Sequence, residues 1–349
     1  MALARGLFTM NLTDIKPFLI HRFKSEGDLI KAITKVSNNF TAAREDVNDY
    51  LLDERLVAAY AAFYLTTNFP KFSHCMEYLE GYKDLLQESE LIDIGSGPGT
   101  FLFAIGEFFD WNLSTLYGIE TSHLMKKQAA KIKEGLFPDK NIEIVSNSNI
   151  IPKKKKNRIV IFTHSVNEMG VERAIEYIKD LDPDGIMFIE PGTKSFFKEY
   201  LTLREKLIES GFNCHYPCPS NNECPMKDKD DWCHQYIRVT HDPEIARLSQ
   251  LVSINRVWQP MTLGLYLKGS TTKKAGARII RTYPETKFSL GWDICYDANK
   301  LTFVEVIKKD YDKSEVKVLS KYLAGKNVEF SIKKELTDRL RIKVEGEIG

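Results

Sequence analysis

Apolar residues recur at helical spacing from about Ser25 to Leu86, as in Leu56, Ala59, Tyr60, Phe63 and Tyr64, with Pro70 as a breaker. This pattern predicts a helical N-terminal domain over residues 1–87. From Leu91 the period changes, and short β-branched runs at 91–94, 115–119, 142–145, 158–163 and 185–189 alternate with helical segments. Such alternation predicts βαβ units and a mostly parallel sheet. Helices are expected at 101–109 and about 195–210, and Met261 to Leu267 reads as a late strand of the same sheet. Residues 88–268 therefore read as one α/β domain. Beyond Lys268, two alternating segments, 288–296 and 301–307, predict a small antiparallel β unit over 269–349.

Composition narrows the class. A chain of 349 residues points to two or three domains, each able to bury its own core. Lys and Arg total 49 against 48 Asp and Glu, so a nucleic-acid contact requires a local patch. Residues 269–349 hold seventeen Lys and Arg against twelve Asp and Glu, a modest local excess. No apolar run approaches the roughly 18 residues of a membrane span. Residues 1–20 carry few charges and no apolar core with a cleavage site, so no secretory signal is expected, although an organellar presequence is compatible. Without a secretory signal the six cysteines are expected as thiols or metal ligands in a reducing compartment.

The segment Asp93-Ile94-Gly95-Ser96-Gly97-Pro98-Gly99-Thr100 follows an expected strand and precedes an apolar helix. Gly95, Gly97 and Gly99 allow a sharp turn and close approach of backbone to a cofactor. Glu120 ends the next strand, where a carboxylate can accept both ribose hydroxyls of a nucleoside. A dinucleotide site would prefer G-x-G-x-x-G. The D-x-G-x-G-x-G form looks like the S-adenosylmethionine (SAM) loop of Rossmann-like methyltransferases, with a purely structural glycine turn as the bland alternative. Asn147 and Ser148 follow the third strand, where adenine would lie. Asn167, Glu168 and Glu190 sit at the ends of the fourth and fifth strands, where open α/β sheets bind ligands, although Glu168 could equally cap or pair locally. No residue declares itself as a catalytic base. An Asn-Pro-Pro-aromatic run is absent, as is a strand-end cysteine able to attack a pyrimidine.

Cys218, Cys224 and Cys233 fall within sixteen residues of a loop rich in Pro, Asp and Trp, and Cys295 stands far downstream. Prolines beside two of these thiols fix φ and pre-bend the chain, so less entropy is lost when a metal gathers the sulfurs. Four thiolates suit tetrahedral zinc or an iron–sulfur cluster. The gaps of five, eight and sixty-one residues are more open than paired zinc knuckles and lean towards a cluster.

Taken together, Gly95-Ser96-Gly97-Pro98-Gly99, Val166-Asn167-Glu168, Glu190-Pro191-Gly192-Thr193, Arg204-Glu205-Lys206-Leu207, Pro217-Cys218-Pro219, Cys224-Pro225 and Asp231-Trp232-Cys233-His234 resemble the methyltransferase-like assembly factors of the mitochondrial small ribosomal subunit and their bacterial relatives. The resemblance runs from about Arg55 to Cys295. It implies a Rossmann-like SAM-dependent methyltransferase fold with a helical N-terminal domain, a Cys-rich insertion over 214–236 and a small C-terminal β unit. It also implies SAM at Asp93, Gly95, Gly97, Gly99, Glu120, Asn147 and Asn167, and a [4Fe-4S] cluster on Cys218, Cys224, Cys233 and Cys295, with zinc as the alternative. Association with the small ribosomal subunit or its precursor rRNA follows from the same resemblance. Two positions depart from the expected pattern, Lys194 after Gly-Thr and Ser220 after Pro-Cys-Pro, and the tail after about Asp310 shows no family pattern.

Lys153 to Lys156 read as a solvated turn that could touch phosphate. Cys75 and Cys214 read as small core hydrophobes, His215 and His234 as neighbours of the metal loop, and Trp232 as a cover limiting solvent access to it. The expectation is an rRNA-binding assembly factor, monomeric when free, located in the cytoplasm or, for a eukaryotic chain, in the mitochondrial matrix. The competing expectations are an active SAM-dependent rRNA methyltransferase and a small-molecule methyltransferase with structural zinc.

Overall fold

A computed structural model describes residues 9–41, 49–269 and 276–348. Its centre is an eight-stranded sheet of β1 (Glu90–Ile94), β2 (Thr115–Ile119), β3 (Glu143–Val145), β4 (Arg158–Thr163), β5 (Gly185–Pro191), β6 (Phe212–Tyr216), β7 (Gln235–Arg238) and β8 (Trp258–Lys268). The order is β3-β2-β1-β4-β5-β8-β6, with β7 also on β8. The first five strands pair in parallel, while β8 runs antiparallel to β5, β6 and β7. This is the Rossmann-like methyltransferase fold expected from the sequence. β1, β4 and β5 are buried along nearly their whole length, as strands covered on both faces must be.

Helices cover both faces. On one, the N-terminal helices Glu54–Tyr60 and Lys71–Tyr78 share a continuous core with Thr100–Phe108, built around Phe63, Phe72, Phe103 and Leu265. Asp53 starts the first of these by accepting the amides of Arg55 and Leu56. The helix then widens into a π turn at Ala61–Leu65. On the other face, Val171–Leu181 and Lys194–Glu209 pack against Ile92, Phe162 and Phe188.

β6 ends opposite Leu265 of β8 and β7 begins opposite Met261, on the same edge of that strand. The cysteine-bearing loop 217–234 is thus an insertion that leaves and rejoins one sheet edge. After β8 comes a closed barrel of β9 (Ala277–Thr282), β10 (Ser289–Tyr296), β11 (Lys300–Ile307), β12 (Asn327–Glu335) and β13 (Leu340–Ile348), in the cyclic order β10-β11-β13-β12-β9. Its core is Leu290, Trp292, Ile294, Val304, Val306, Val328 and Ile342. The unit expected to be simply antiparallel contains one parallel pair, β11 with β13. The tail after Asp310 supplies two of its strands and the helix Lys313–Leu319. Among the described residues no helix is long and apolar enough to cross a membrane.

Candidate functional site

The turn after β1 is built on three residues with left-handed backbone: Gly95 (φ 71°), Gly97 (φ 55°) and Gly99 (φ 88°). Side chains are strained in that region, so glycine is required by the turn itself. Gly95 is further constrained by space, because a Cβ there would lie 2.7 Å from the Ser165 Cβ after β4. Glu120, just past β2, accepts the Gly97 amide at Oε2 (2.9 Å) and the Ser122 amide at Oε1 (2.6 Å). Burial raises its pKa, while the Ser122 and Gly97 amides act in the opposite direction. Each carboxylate oxygen keeps a second lone pair for a ligand hydroxyl. Asp93 lies fully buried beneath the loop, where Thr163 Oγ1 donates to its Oδ1 at 2.9 Å. Burial pushes its carboxyl up to about 8. Asp93 therefore supports the loop from below through Oδ1, while its Oδ2 has no hydrogen-bond partner.

Buried side-chain atoms without a partner cluster around this turn: Asp93 Oδ2, Ser96 Oγ and Ser165 Oγ. Such atoms are costly, and a polar ligand is one way to satisfy them. Asn167 reaches the same end of the sheet. Asn147 follows β3 on an exposed turn, where its side chain accepts the Asn149 amide.

At the strand ends, Glu190 is fully buried and accepts the amides of Ser165 (3.0 Å), Val166 (2.9 Å) and Asn167 (3.4 Å). It anchors the short helix Val166–Met169, which corrects the expectation that it faces substrate. Burial nonetheless pushes it up to about 8, against the pull of the Val166 and Asn167 amides. Glu168 is exposed, and desolvation of its carboxyl, with Glu120 adding, pushes it up to about 7. Sequence reasoning missed the neighbouring cations. Lys71 Nζ lies 2.9 Å from His164 Nε2, a contact in which only one partner can be cationic, and burial lowers both pKa values, with Arg256 lowering them further. Arg256 packs over the Tyr64 ring at 5.6 Å and donates to Thr67 and Asn68. These residues come from segments far apart in the chain, so spacing gives no signal for them.

The structure gathers all four proposed metal ligands. Cys218, Cys224, Cys233 and Cys295 line one cavity between the insertion, the helix Lys194–Glu209 and the barrel. Among the described residues no three His, Cys, Asp or Glu side chains are placed to hold a metal ion, the four thiols of this cavity included. Burial pushes Cys224 up to about 12 and also raises Cys233 and Cys295. Two buried guanidiniums flank the thiols. Arg278 Nε donates to Cys233 Sγ at 3.3 Å, and although burial opposes the Arg278 charge, Tyr216 and Cys233 hold it protonated. Arg204 donates to the Ser220 and Asn222 carbonyls at 3.0 and 2.7 Å, while its Nε is buried without a partner. Burial opposes its charge too, and Cys218, Tyr266 and Cys214 together outweigh that effect. Trp232 packs against these thiols and donates to the Gly192 carbonyl at 2.9 Å. A four-thiol donor set with two fixed cations fits an anionic thiolate-bound centre.

Cys75 and Cys214 are buried outside this cavity. Lys154 of the basic run pairs with Asp184 at 3.0 Å on the surface, as a solvated turn does. A cleft of about 700 Å³ opens by the strand starts at Asn157 and Gly185, away from the glycine turn, and reaches the thiols through Pro217-Cys218-Pro219.

The model of the family described as "Mitochondrial small ribosomal subunit Rsm22" matches residues 54–326, well over half of the chain. The chain belongs to this family. No curated protein matches. Among solved structures, the Synechocystis PCC 6803 magnesium protoporphyrin IX methyltransferase with bound SAM is 13% identical, covering 68% of this chain and 97% of its own with a TM-score of 0.37. The mitomycin 7-O-methyltransferase MmcR is 11% identical, covering 70% and 67% with a TM-score of 0.40. M. capricolum TrmK in complex with S-adenosyl-homocysteine is 12% identical, covering 56% and 71% with a TM-score of 0.33. These likenesses carry no argument about ligand or activity, and the assignment to the Rsm22 family rests on the family match alone.

Proposed function

We propose that this Rsm22-family protein is a small-subunit assembly factor that binds rRNA, uses a SAM-type pocket and carries an iron–sulfur cluster. The observation that carries the reading is the family match over 54–326, which spans the glycine turn, the insertion and Cys295. The family's description supports the mitochondrial alternative for location.

SAM would lie against Gly95, Gly97 and Gly99, with Glu120 accepting its ribose hydroxyls and Asn147 and Asn167 beside the rest of the nucleoside. When bound, SAM supplies an electrophilic methyl on a sulfonium. On the protein side, Glu168 and the Lys71–His164 pair border the strand ends where an acceptor would meet that methyl. The cluster would be held by Cys218, Cys224, Cys233 and Cys295. The shared cavity of the four thiols, at the junction of insertion, sheet and barrel, supports a stapling role for such a centre. The active rRNA methyltransferase is the second reading, favoured by the buried Lys71–His164 contact at 2.9 Å, which holds a basic nitrogen close to the strand ends.

Affinity purification of the tagged protein, followed by sequencing of the RNA that comes with it, tests the reading. Enrichment of small-subunit rRNA or its precursor is expected. Recovery of large-subunit rRNA and tRNA in proportion to their abundance, with no small-subunit enrichment, contradicts it.

A further inference from the structure

The barrel's connectivity carries more than its closure. Strands β9, β10 and β11 pair in succession, β11 then meets β13 in parallel, β12 lies between β13 and β9, and the helix Lys313–Leu319 joins β11 to β12. This is the topology of an OB barrel, in which the face of the second and third strands, with the loops joining strands one to two and four to five, is the place where oligonucleotides bind. Fold alone assigns no function, so the chemistry of that face must be read for itself.

Leu290, Trp292 and Ile294 of β10 and Val304 and Val306 of β11 point into the barrel. The outward positions are therefore Gly291 and Asp293, registered against Glu305 and Phe303. Gly291 is the floor: a Cβ there would lie 3.0 Å from the Phe303 ring, so glycine gives that ring room to pack against β10. Tyr283, in the β9–β10 loop, meets Phe303 edge to face with centroids 5.4 Å apart. The same loop holds Phe288 at 71% exposure. Tyr283, Gly291 and Phe303 line an open cleft of about 540 Å³ together with Arg339 from the β12–β13 loop, and Phe288 stands beside it on the same loop as Tyr283. The carboxylates at this face and its rim are already engaged, Asp338 accepting from Arg339 with both oxygens at 3.0 Å. Glu305 accepts from Arg339 and Arg341 at 3.0 and 3.2 Å, and Asp293 accepts the Tyr283 hydroxyl at 2.8 Å beside Arg281.

We propose that this face is a binding site for single-stranded RNA, with unpaired bases stacking on Tyr283, Phe303 and Phe288 and the backbone meeting Arg339, Arg341 and Lys287. Three features select this occupant over a peptide. Aromatic rings at and beside an open cleft, Tyr283 and Phe288 exposed and Phe303 half-buried, suit bases, which all present a π face. Planar guanidiniums at the rim pair with phosphate and stack. The described barrel residues 276–348 carry fifteen Lys and Arg against twelve Asp and Glu. A duplex keeps its bases stacked on one another and offers none to the rings. The inference deepens the rRNA-binding reading for the RNA's source, but its site and strand preference can be tested apart from that reading.

The test uses the full-length protein and fluorescence anisotropy with a labelled RNA of about 12 nucleotides, single-stranded or annealed to its complement. Preference for the single strand is expected. Tyr283→Ala and Phe288→Ala should each weaken binding by roughly five- to 150-fold, the range for losing one stacked base. Phe303→Leu, which keeps the apolar contact with Gly291, should weaken binding with an unchanged melting curve. Unchanged affinity in all three folded variants overturns the assignment, as does equal affinity for the duplex or saturable capture of extended peptides without RNA binding. If synthetic RNA fails to bind while the protein still sediments with small subunits, the site is wrong and the ribosomal reading stands. If it binds while sedimentation fails, the reverse holds.

Discussion

Arg278 on the first barrel strand and Cys233 in the insertion meet at 3.3 Å, guanidinium to sulfur. This contact joins two parts of the chain that sequence places 45 residues apart. It is one of a set. Cys295 extends the barrel to the same cavity, Arg281 pairs with Asp231, and the Asn299 amide donates to the Asn222 carbonyl at 2.5 Å. The barrel is thus held to the insertion chiefly through groups that surround the thiols.

The cluster should accordingly control attachment of the barrel. Cys295→Ser is expected to lower iron and acid-labile sulfide in anaerobically purified protein and to cost about 2 kcal/mol or more, a fall of roughly 4 °C or greater in Tm. Cys75→Ser, outside the cavity, should keep full iron. Metal analysis and calorimetry check this, and full iron with an unchanged melt in Cys295→Ser would remove it from the ligand set.

Glu120 is expected to act twice, by ordering the glycine turn through Gly97 and by accepting ribose hydroxyls. Glu120→Ala should weaken SAM binding by roughly 1–3 kcal/mol. Isothermal titration with SAM and its demethylated product measures this. No heat with wild type would leave the glycine turn a structural device only.

SAM binding should depend on pH through Glu168, whose carboxyl is raised to about 7. Below that pH the group is neutral, and above it a carboxylate faces the cationic sulfonium. Affinity is therefore expected to rise between pH 6 and 8 by up to about tenfold, the scale of one unit of linkage. Glu168→Gln should flatten the profile.

Asp93 gives a stability slope of defined sign. Its folded carboxyl titrates at about 8 and its ordinary value is 3.8. Between those values the unfolded chain releases a proton that the folded chain keeps, so this group's contribution is fully present below about pH 4 and is lost as pH rises towards 8. Asp93→Asn, which keeps an acceptor for Thr163, should remove that part of the slope in denaturant midpoints at pH 5 and pH 8.

Local pattern made the sheet legible. The runs at 115–119 and 158–163 became β2 and β4 with the expected bounds, and the glycine turn and Glu120 came together as expected because each lies at a strand end. Barrel closure was not legible, since it depends on the non-local pairing of Val304 with Leu340 and of Asn327 with Arg278. Alternation of Val328, Phe330 and Ile332 was the available signal in the tail. Glu190 was misread because a carboxylate at a strand end can face a ligand or cap the next helix, and only geometry separates the two. Arg204 and Arg278 gave no sign of their thiol partners, since a guanidinium on a helix or strand reads as surface charge until burial is known.

The most direct test of the central claim is gradient sedimentation of cell extracts carrying wild type, Cys218→Ser or Glu120→Ala, probed for the protein across the fractions. Wild type and Glu120→Ala are expected to migrate with the small subunit or its precursor, and Cys218→Ser to remain at the top of the gradient with free protein. Wild type found only at the top, in extracts whose small-subunit precursors are intact, would contradict the account.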